Sequence, residues 1–122
     1  MAAPNILSAT SIYGKQVGAA LDTTTTTSLL ANGSGSNKLL KINSIIVANV
    51  DGSSSADATV SWYDGSTDYH LAKTVAVPAD STLVVVGKDS PIYLEEGHSI
   101  RGGAGTNSDL EVLICYDELD DA

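Results

Sequence analysis

Residues 39–50 read LLKINSIIVANV and form the strongest strand pattern in the chain. The segment is rich in Ile, Leu and Val, and β-branched side chains favour extended backbone. Its apolar residues occupy both phases of a strand, with Leu40 and Ile42 on one phase and Ile45 on the other. The segment is therefore either buried on both faces or changes phase through a β-bulge near Ser44.

Shorter apolar runs lie on both sides of this segment, and clusters of Gly, Ser, Asn and Asp separate them at fairly even spacing. This arrangement is typical of a β-sandwich or barrel. Asp64-Gly65 predicts a two-residue hairpin turn, and Lys73 interrupts the return strand, which indicates an edge or a bulge. The predicted strands are residues 11–21, 39–50, 58–63, 67–77, 82–86, 92–94, 99–101 and 110–116, with the threonine run at 23–27 as an exposed strand or edge.

These patterns predict an all-β protein, an antiparallel β-sandwich of jelly-roll or immunoglobulin-like type with about eight strands. The 122 residues suit one domain. We expect an extended N-terminal arm at about residues 1–10 and a short, solvated acidic tail at about residues 117–122. A flexible loop is expected at residues 102–107, GGAGTN.

The formal net charge is −9, and the whole excess of acidic residues lies in residues 62–122. Such a surface repels phosphate groups, so we expect no binding to nucleic acid or anionic membranes. Cys115 is the only cysteine, which excludes an internal disulfide and indicates a buried, inert thiol in a reducing compartment. The first residues lack the pattern of a signal peptide, and no apolar run is long enough to span a membrane.

Sequence motifs for catalysis, cofactors or metals are not evident, so the expected set of catalytic, cofactor-binding and metal-binding residues is empty. His70 and His98 do not have a metal-ligand spacing, and no nucleophile elbow accompanies them. Glu95 and Glu96 are adjacent before Gly97 and are interpreted as turn residues, since neighbours in a strand point to opposite faces. A small hydrolase with a spatially assembled Ser-His-acid cluster stays open as an alternative.

Three further patterns have structural interpretations beside functional ones. Acidic residues near two turns could hold calcium, although Asp is also a common turn former. Asn32-Gly33-Ser34 matches a glycosylation sequon, which we attribute to chance in the absence of a secretory signal. Trp62 and Tyr63 should point to opposite faces, one into the core and the other outward or into an interface. The acidic residues concerned are Asp51, Asp57, Asp64 and Asp68.

The order of segments resembles a family of short virion structural proteins of tailed bacteriophages, notably those that infect cyanobacteria. The resemblance spans nearly the whole chain. The segments on which it depends are residues 1–6 (MAAPNI), 12–15 (IYGK), 41–45 (KINSI), 48–52 (ANVDG), 71–83 (LAKTVAVPADSTL), 92–97 (IYLEEG), 109–111 (DLE) and 115–119 (CYDEL).

This resemblance implies a non-enzymatic β-sandwich component of the virion, assembled in the host cytoplasm. The favoured role is a decoration or cement protein that stabilises the head by binding the major capsid protein or other virion proteins, as a homo-oligomer, with a trimer possible. A tail, neck or fibre-associated protein and a carbohydrate-binding module are the alternatives. We expect residues 2–12 and 23–27 to make the partner contacts, with the threonine run pairing by β-augmentation.

Overall fold

The computed structural model describes residues 11–120, and every regular element in that range is a β-strand. Nine strands are present where about eight were expected. They are β1 (Ser11–Ala20), β2 (Ser28–Ala31), β3 (Lys38–Asn49), β4 (Ala56–Tyr63), β5 (Asp68–Val77), β6 (Thr82–Val86), β7 (Ile92–Leu94), β8 (Ser99–Ala104) and β9 (Leu110–Asp120). Within residues 11–120 no helix is long and apolar enough to cross a membrane.

The strands form two antiparallel sheets that face each other, which confirms the predicted β-sandwich. The larger sheet has the order β1-β9-β3-β6, with β7 also paired to β3, and the smaller sheet has the order β2-β8-β4-β5. Pairing is therefore nested: the first strand pairs with the last, the second with the eighth, and the fourth with the fifth. Nested pairing of this kind in two sheets is the jelly-roll arrangement, one of the two predicted types.

A bulge in β3 explains why its sequence is apolar on both phases. Ile42 pairs with Tyr116 and Ser44 pairs with Cys115, so Asn43 is the extra residue in β3. The bulge shifts the strand by one residue, and both Leu40 and Ile45 consequently face the smaller sheet and are buried. The prediction of a phase change near Ser44 is confirmed.

The core lies between the sheets and consists almost entirely of aliphatic side chains. Their stiff, compact shapes suit the gap of about 10 Å between facing sheets. The buried members of this core are Leu21, Leu40, Ile42, Ile45, Val47, Ala56, Ala58, Val60, Val77, Val86, Leu94, Ile100, Ala104, Leu110, Val112 and Ile114.

The threonine run at residues 23–27 forms an exposed turn, so the prediction of a strand or edge is wrong. Asp22 closes this turn, because its Oδ1 accepts hydrogen bonds from the backbone N–H of Thr24 and the hydroxyl of Thr27, each at 3.0 Å. The backbone N–H of Thr27 also donates to the carbonyl of Thr24. A side chain that bonds to nearby backbone competes with strand pairing, and here it outweighs β propensity.

The glycine cluster expected as a loop instead begins inside β8. Gly102 and Gly103 are buried, and a Cβ on Gly103 would lie 2.5 Å from the carbonyl oxygen of Thr24. The two glycines therefore allow the turn at residues 23–27 to pack directly on the strand. Only residues 105–107 of the predicted loop are outside the strand.

The predicted acidic tail is wrong for residues 117–120, which extend β9 and pair with both β1 and β3. Glu118 and Leu119 are buried in this extension. The buried carboxylate of Glu118 pairs with Lys15 of β1 and Lys38 of β3. The predicted N-terminal arm at residues 1–10 and the last two residues lie outside the described range.

The hairpin between β4 and β5 is confirmed, but its turn spans residues 64–67 and is longer than the predicted two residues. Asp64 Oδ1 accepts hydrogen bonds from the backbone N–H groups of Ser66 and Thr67. Further along β5 the register shifts twice against β4, and Thr74 has a φ of 54°. Lys73 therefore marks both an edge strand and a bulge, as its position predicted.

Two valines of the larger sheet provide a test of this core. Val47 is fully buried on β3, whereas Val84 on β6 is 61% exposed on the outer face. Val47→Ala should lower the free energy of unfolding by about 2 kcal/mol, since it removes buried methyl groups and leaves a cavity. Val84→Ala should change it by less than about 0.5 kcal/mol in the same urea titration. Equal losses at the two positions would contradict the assignment of faces.

Candidate assembly surface

Strand β1 is the most exposed strand of the sandwich and forms one edge of the larger sheet. It pairs with β9 without a register shift along its whole length, Ser11 with Asp120 through to Ala20 with Glu111. Ile12 is 61% and Tyr13 50% exposed, and these two residues point to opposite faces. Val17 packs against the core, but most other residues of β1 are exposed, so most of this strand extends beyond the cover of the smaller sheet.

A shallow depression lies on the outer face of the larger sheet beside β1. Small side chains produce it, because Gly18 and Ala20 of β1 and Ala48 of β3 leave space around Leu113 and Ile46. Leu113 lies between Gly18 on one side and Ile46 on the other, and its exposed surface forms part of the floor. The depression is mostly apolar, with Glu111 as the one charged residue of its lining, and it is open to solvent, as a contact surface for another chain would be.

A charged cluster ties β1 to the rest of the sheet. Glu118 of β9 accepts a hydrogen bond from Lys15 at 3.1 Å and pairs with Lys38 at 3.4 Å. Burial alone would raise the pKa of Glu118, but the hydrogen bond from Lys15 and the charge of Lys38 outweigh it and lower the pKa below 4.5. The same hydrogen bond raises the pKa of Lys15. Lys15, the only charged residue of β1, is thus paired with a carboxylate of its own chain.

The acidic residues proposed for calcium are mostly engaged in other contacts. Asp51 and Asp64 each close a turn. A hydrogen bond from the backbone N–H of Ser53 lowers the pKa of the Asp51 carboxyl, and those from Thr67 and Ser66 lower the pKa of the Asp64 carboxyl. Asp68 pairs with Arg101 at 3.1 Å. In the part of the chain that the structure describes, no three acidic, histidine or cysteine residues come close enough to hold a metal ion.

The two histidines lie on different elements, His70 on β5 and His98 in the turn before β8. His70 is exposed on β5. His98 packs edge-on against Trp62, with ring centroids 5.0 Å apart, and its Nδ1 accepts the backbone N–H of Glu95 at 3.2 Å. Glu96 follows in the turn expected from sequence, and both of its carboxylate oxygens are buried without a hydrogen bond from the described residues.

Trp62 and Tyr63 point to opposite faces, as predicted. Trp62 packs against the core, donates its Nε1–H to the carbonyl of Tyr93 at 3.1 Å and contacts the exposed ring of Tyr69. Tyr63 is half-buried under the guanidinium of Arg101, 3.4 Å from its ring centroid. Three rings, those of Trp62, Tyr69 and His98, therefore form a small aromatic cluster at the end of the hairpin.

The sequon asparagine has a structural role that the sequence pattern did not reveal. The buried side chain of Asn32 donates to the carbonyls of Lys38 at 2.8 Å and Leu94 at 2.9 Å. Asn49 does the same at the other end of β3, with the carbonyls of Ser54 and Val77, each at 2.9 Å. The amide of Asn32 is thus fully occupied in the folded chain, which supports the interpretation of the sequon as chance.

The thiol of Cys115 is less buried than the sequence predicted. It is half-buried on the outer face of the larger sheet, and its Sγ accepts a hydrogen bond from Gln16 Nε2 at 3.2 Å. The apolar run around it predicted a buried thiol, and this prediction is wrong, since Val112 and Ile114 occupy the inward phase.

No protein-family model matches the chain. The curated proteins give no match either. Among solved structures, a crystal structure of a pentameric capsid protein isolated from metagenomic phage sequences is similar, with a TM-score of 0.35 and 16% identity over 97% of this chain and 64% of that chain. A second crystal structure of a pentameric capsid protein from the same kind of source gives a TM-score of 0.34 and 16% identity, with coverage of 97% and 68%. The chain thus spans about two thirds of the length of these capsid proteins.

Asn32→Asp should destabilise the fold, because a carboxylate cannot donate to the carbonyls of Lys38 and Leu94 and would bury a charge beside them. We expect a loss of about 3 kcal/mol in the free energy of unfolding, measured by urea denaturation at neutral pH. Asn107→Asp is the matched control, since Asn107 is exposed in the loop before β9. A variant at Asn32 that is as stable as the control would contradict the role of its amide.

Glu118 should make the stability of the protein dependent on acid pH. Its pKa is lowered on folding, so its contribution is present above pH 4.5 and is lost as the pH falls through the folded value. Glu118→Gln should therefore be less stable than the wild type by about 1–2 kcal/mol at neutral pH, and the difference should shrink below pH 4.5. Glu111→Gln, exposed on the same strand, is the control. A difference between Glu118→Gln and wild type that is constant with pH would contradict this role of the ion pair.

Proposed function

We propose that the chain is a non-enzymatic structural protein of a tailed-phage virion and that it decorates the outside of the head. The resemblance of its segments to short phage structural proteins supports this role. The observation on which the proposal depends is the exposed start of β1, where Ile12 and Tyr13 stand open to solvent directly after the N-terminal segment. Exposed apolar residues at one edge of a sheet are suited to contacts with another chain.

The physical requirements of a decoration protein fit this sandwich. A protein that binds many equivalent sites on a shell gains from a rigid body, since little conformational entropy is then lost on attachment. The aliphatic core and short turns provide that rigidity. The acidic surface favours a basic patch on the capsid as its partner, because opposite potentials steer association.

The contact segment in this proposal is residues 2–12. The run at residues 23–27 was expected to pair by β-augmentation, but it is a turn whose backbone is already bonded through Asp22. In the described part of the chain, this leaves the start of β1, Ser11 and Ile12, as the contact with the head.

A carbohydrate-binding module is the second candidate, and the aromatic cluster favours it. Tyr69 is 54% exposed beside Trp62, so one ring face could stack on a sugar. A glycan array with the full chain and with Tyr69→Ala tests this role. Specific, saturable binding that disappears in the variant would replace decoration as the proposed function.

Removal of residues 2–10 should leave the fold intact and weaken attachment to heads at least about 10-fold, because the deletion ends before β1 begins. The measurement is co-sedimentation with purified heads of the phage, with circular dichroism and thermal unfolding as the test of folding. Immunogold labelling of intact particles locates the protein independently. Equal binding by the truncated chain would refute the contact segment, and label confined to tails would refute the head location.

A further inference from the structure

The four sheet edges of the sandwich differ in how well they are protected against pairing with another chain. Natural sheets blunt their edges with short strands, bulges and charged residues. β2 has four residues and a register shift, and β6 and β7 are shorter than six residues. β5 is long but carries Lys73, two register shifts and the left-handed residue Thr74. Three edges are therefore protected.

β1 lacks these protections. It is a 10-residue strand with an unbroken register, and no other strand among residues 11–120 pairs with its outer edge. Its only charged residue is Lys15, which is bound to Glu118 of the same chain. Although the chain carries 15 acidic residues, none of them lies on β1. Two copies could therefore pair through this edge with no acidic residue of one β1 strand opposite an acidic residue of the other.

The residues of β1 are also complementary to themselves in the antiparallel direction. The strand is bulky and apolar at its start, with Ile12 and Tyr13, and small at its end, with Gly18, Ala19 and Ala20. An antiparallel pair of β1 strands brings the bulky end of each copy beside the small end of the other. Such a pair is isologous, so each favourable contact occurs twice.

Only twofold axes at Lys15 and at Gln16 pair nine of the ten residues of β1, and charge selects between these two registers. The twofold axis of such a pair is perpendicular to the sheet. Residues directly opposite each other share a face, and faces alternate along each strand, so the axis must pass through a residue and not between two residues. An axis at Lys15 would place the two ammonium groups directly opposite, which is unfavourable. An axis at Gln16 avoids this and pairs residues 12–20 of one copy with residues 20–12 of the other. Ile12 then lies opposite Ala20, and Tyr13 opposite Ala19.

We propose that the chain forms a homodimer in which two β1 strands pair antiparallel about Gln16 and join the two larger sheets into one continuous sheet. In this arrangement Ile12 of each copy stands on the outer face beside Gly18 and Ala20 of the other copy. Those two residues line the shallow apolar depression, so the exposed Ile12 side chain covers its open side. The dimer needs only this chain, so it is tested apart from attachment to a head, although Ile12 also belongs to the head-contact segment.

The first experiment is the mass of the full chain in solution, by size-exclusion chromatography with light scattering. We expect twice the chain mass of 12.5 kDa. Ile12→Asp should weaken dimerisation at least about 100-fold, since two carboxylates would enter the apolar contact. Val84→Asp is the matched control, because Val84 is as exposed as Ile12, 61%, on the opposite edge of the same sheet. Its dimer should persist.

A second experiment tests the register and stays informative if Ile12→Asp folds poorly. Opposite residues in a strand pair lie close enough for a disulfide, so Gln16→Cys should cross-link two copies on mild oxidation. Cys115→Ser must accompany it, because Gln16 lies beside the Cys115 thiol in its own chain. Val84→Cys with Cys115→Ser is the control and should not cross-link at the same rate.

Four results would overturn the proposal. Two concern the mass of the wild-type chain, which would be that of one copy up to about 1 mM or that of a trimer or pentamer. The third is equal dissociation of the dimer by Ile12→Asp and Val84→Asp. The fourth is cross-linking that is no faster through Gln16→Cys than through Val84→Cys. The concentration limit corresponds to a binding free energy of about 4 kcal/mol. Since each measurement uses the isolated chain, failure here leaves head decoration unaffected, and failure to bind heads leaves the dimer unaffected.

Discussion

The register between β3 and β9 is the constraint on which the rest of this sandwich depends. β3 pairs with three strands, and β9 joins β1 to the sheet. A slip of one residue would turn Val112 and Ile114 of β9 out of the core, since neighbouring side chains alternate between faces. The extra residue Asn43 allows β3 to keep its apolar side chains inward on both sides of the bulge. Hydrophobic burial along these two strands therefore fixes the larger sheet.

Two buried asparagine side chains stabilise the sandwich in addition to its apolar core. Asn32 and Asn49 lie at opposite ends of β3, and each bonds carbonyl oxygens that would otherwise be buried without partners. Asn32 connects β2 of the smaller sheet to β3 and β7 of the larger one, and Asn49 connects β3 to the end of β5. An unpaired buried carbonyl is costly, so these side chains stabilise the sandwich at the places where the chain passes between sheets.

The same register determines the surface that we assign to assembly. Because the larger sheet has β1 beyond the cover of the smaller sheet, Ile12 and Tyr13 gain no core contacts and remain exposed. The bond from Lys15 to Glu118 connects β1 to β9 and pairs the only charged residue of the strand within the chain. An edge that is regular, free of acidic residues and apolar at one end favours pairing with another chain, in contrast to the short or bulged edges elsewhere. Both the head contact and the dimer that we propose use parts of this one strand.

Local patterns in the sequence determined the class of the fold, most of its strands, the bulge near Ser44 and the hairpin after Trp62, because alternation and turn residues act over a few neighbouring positions. They could not identify the turn at residues 23–27, the buried Gly103 or the pairing of residues 117–120. The turn is closed by the neighbouring Asp22, whose side chain outweighs the β propensity of the threonines. The other two depend on contacts with segments distant in the chain, Gly103 with Thr24 and Glu118 with Lys15. Which edge stays open is likewise a property of the assembled sheets. Only the tertiary structure decides it, since exposure is set by what the other strands cover.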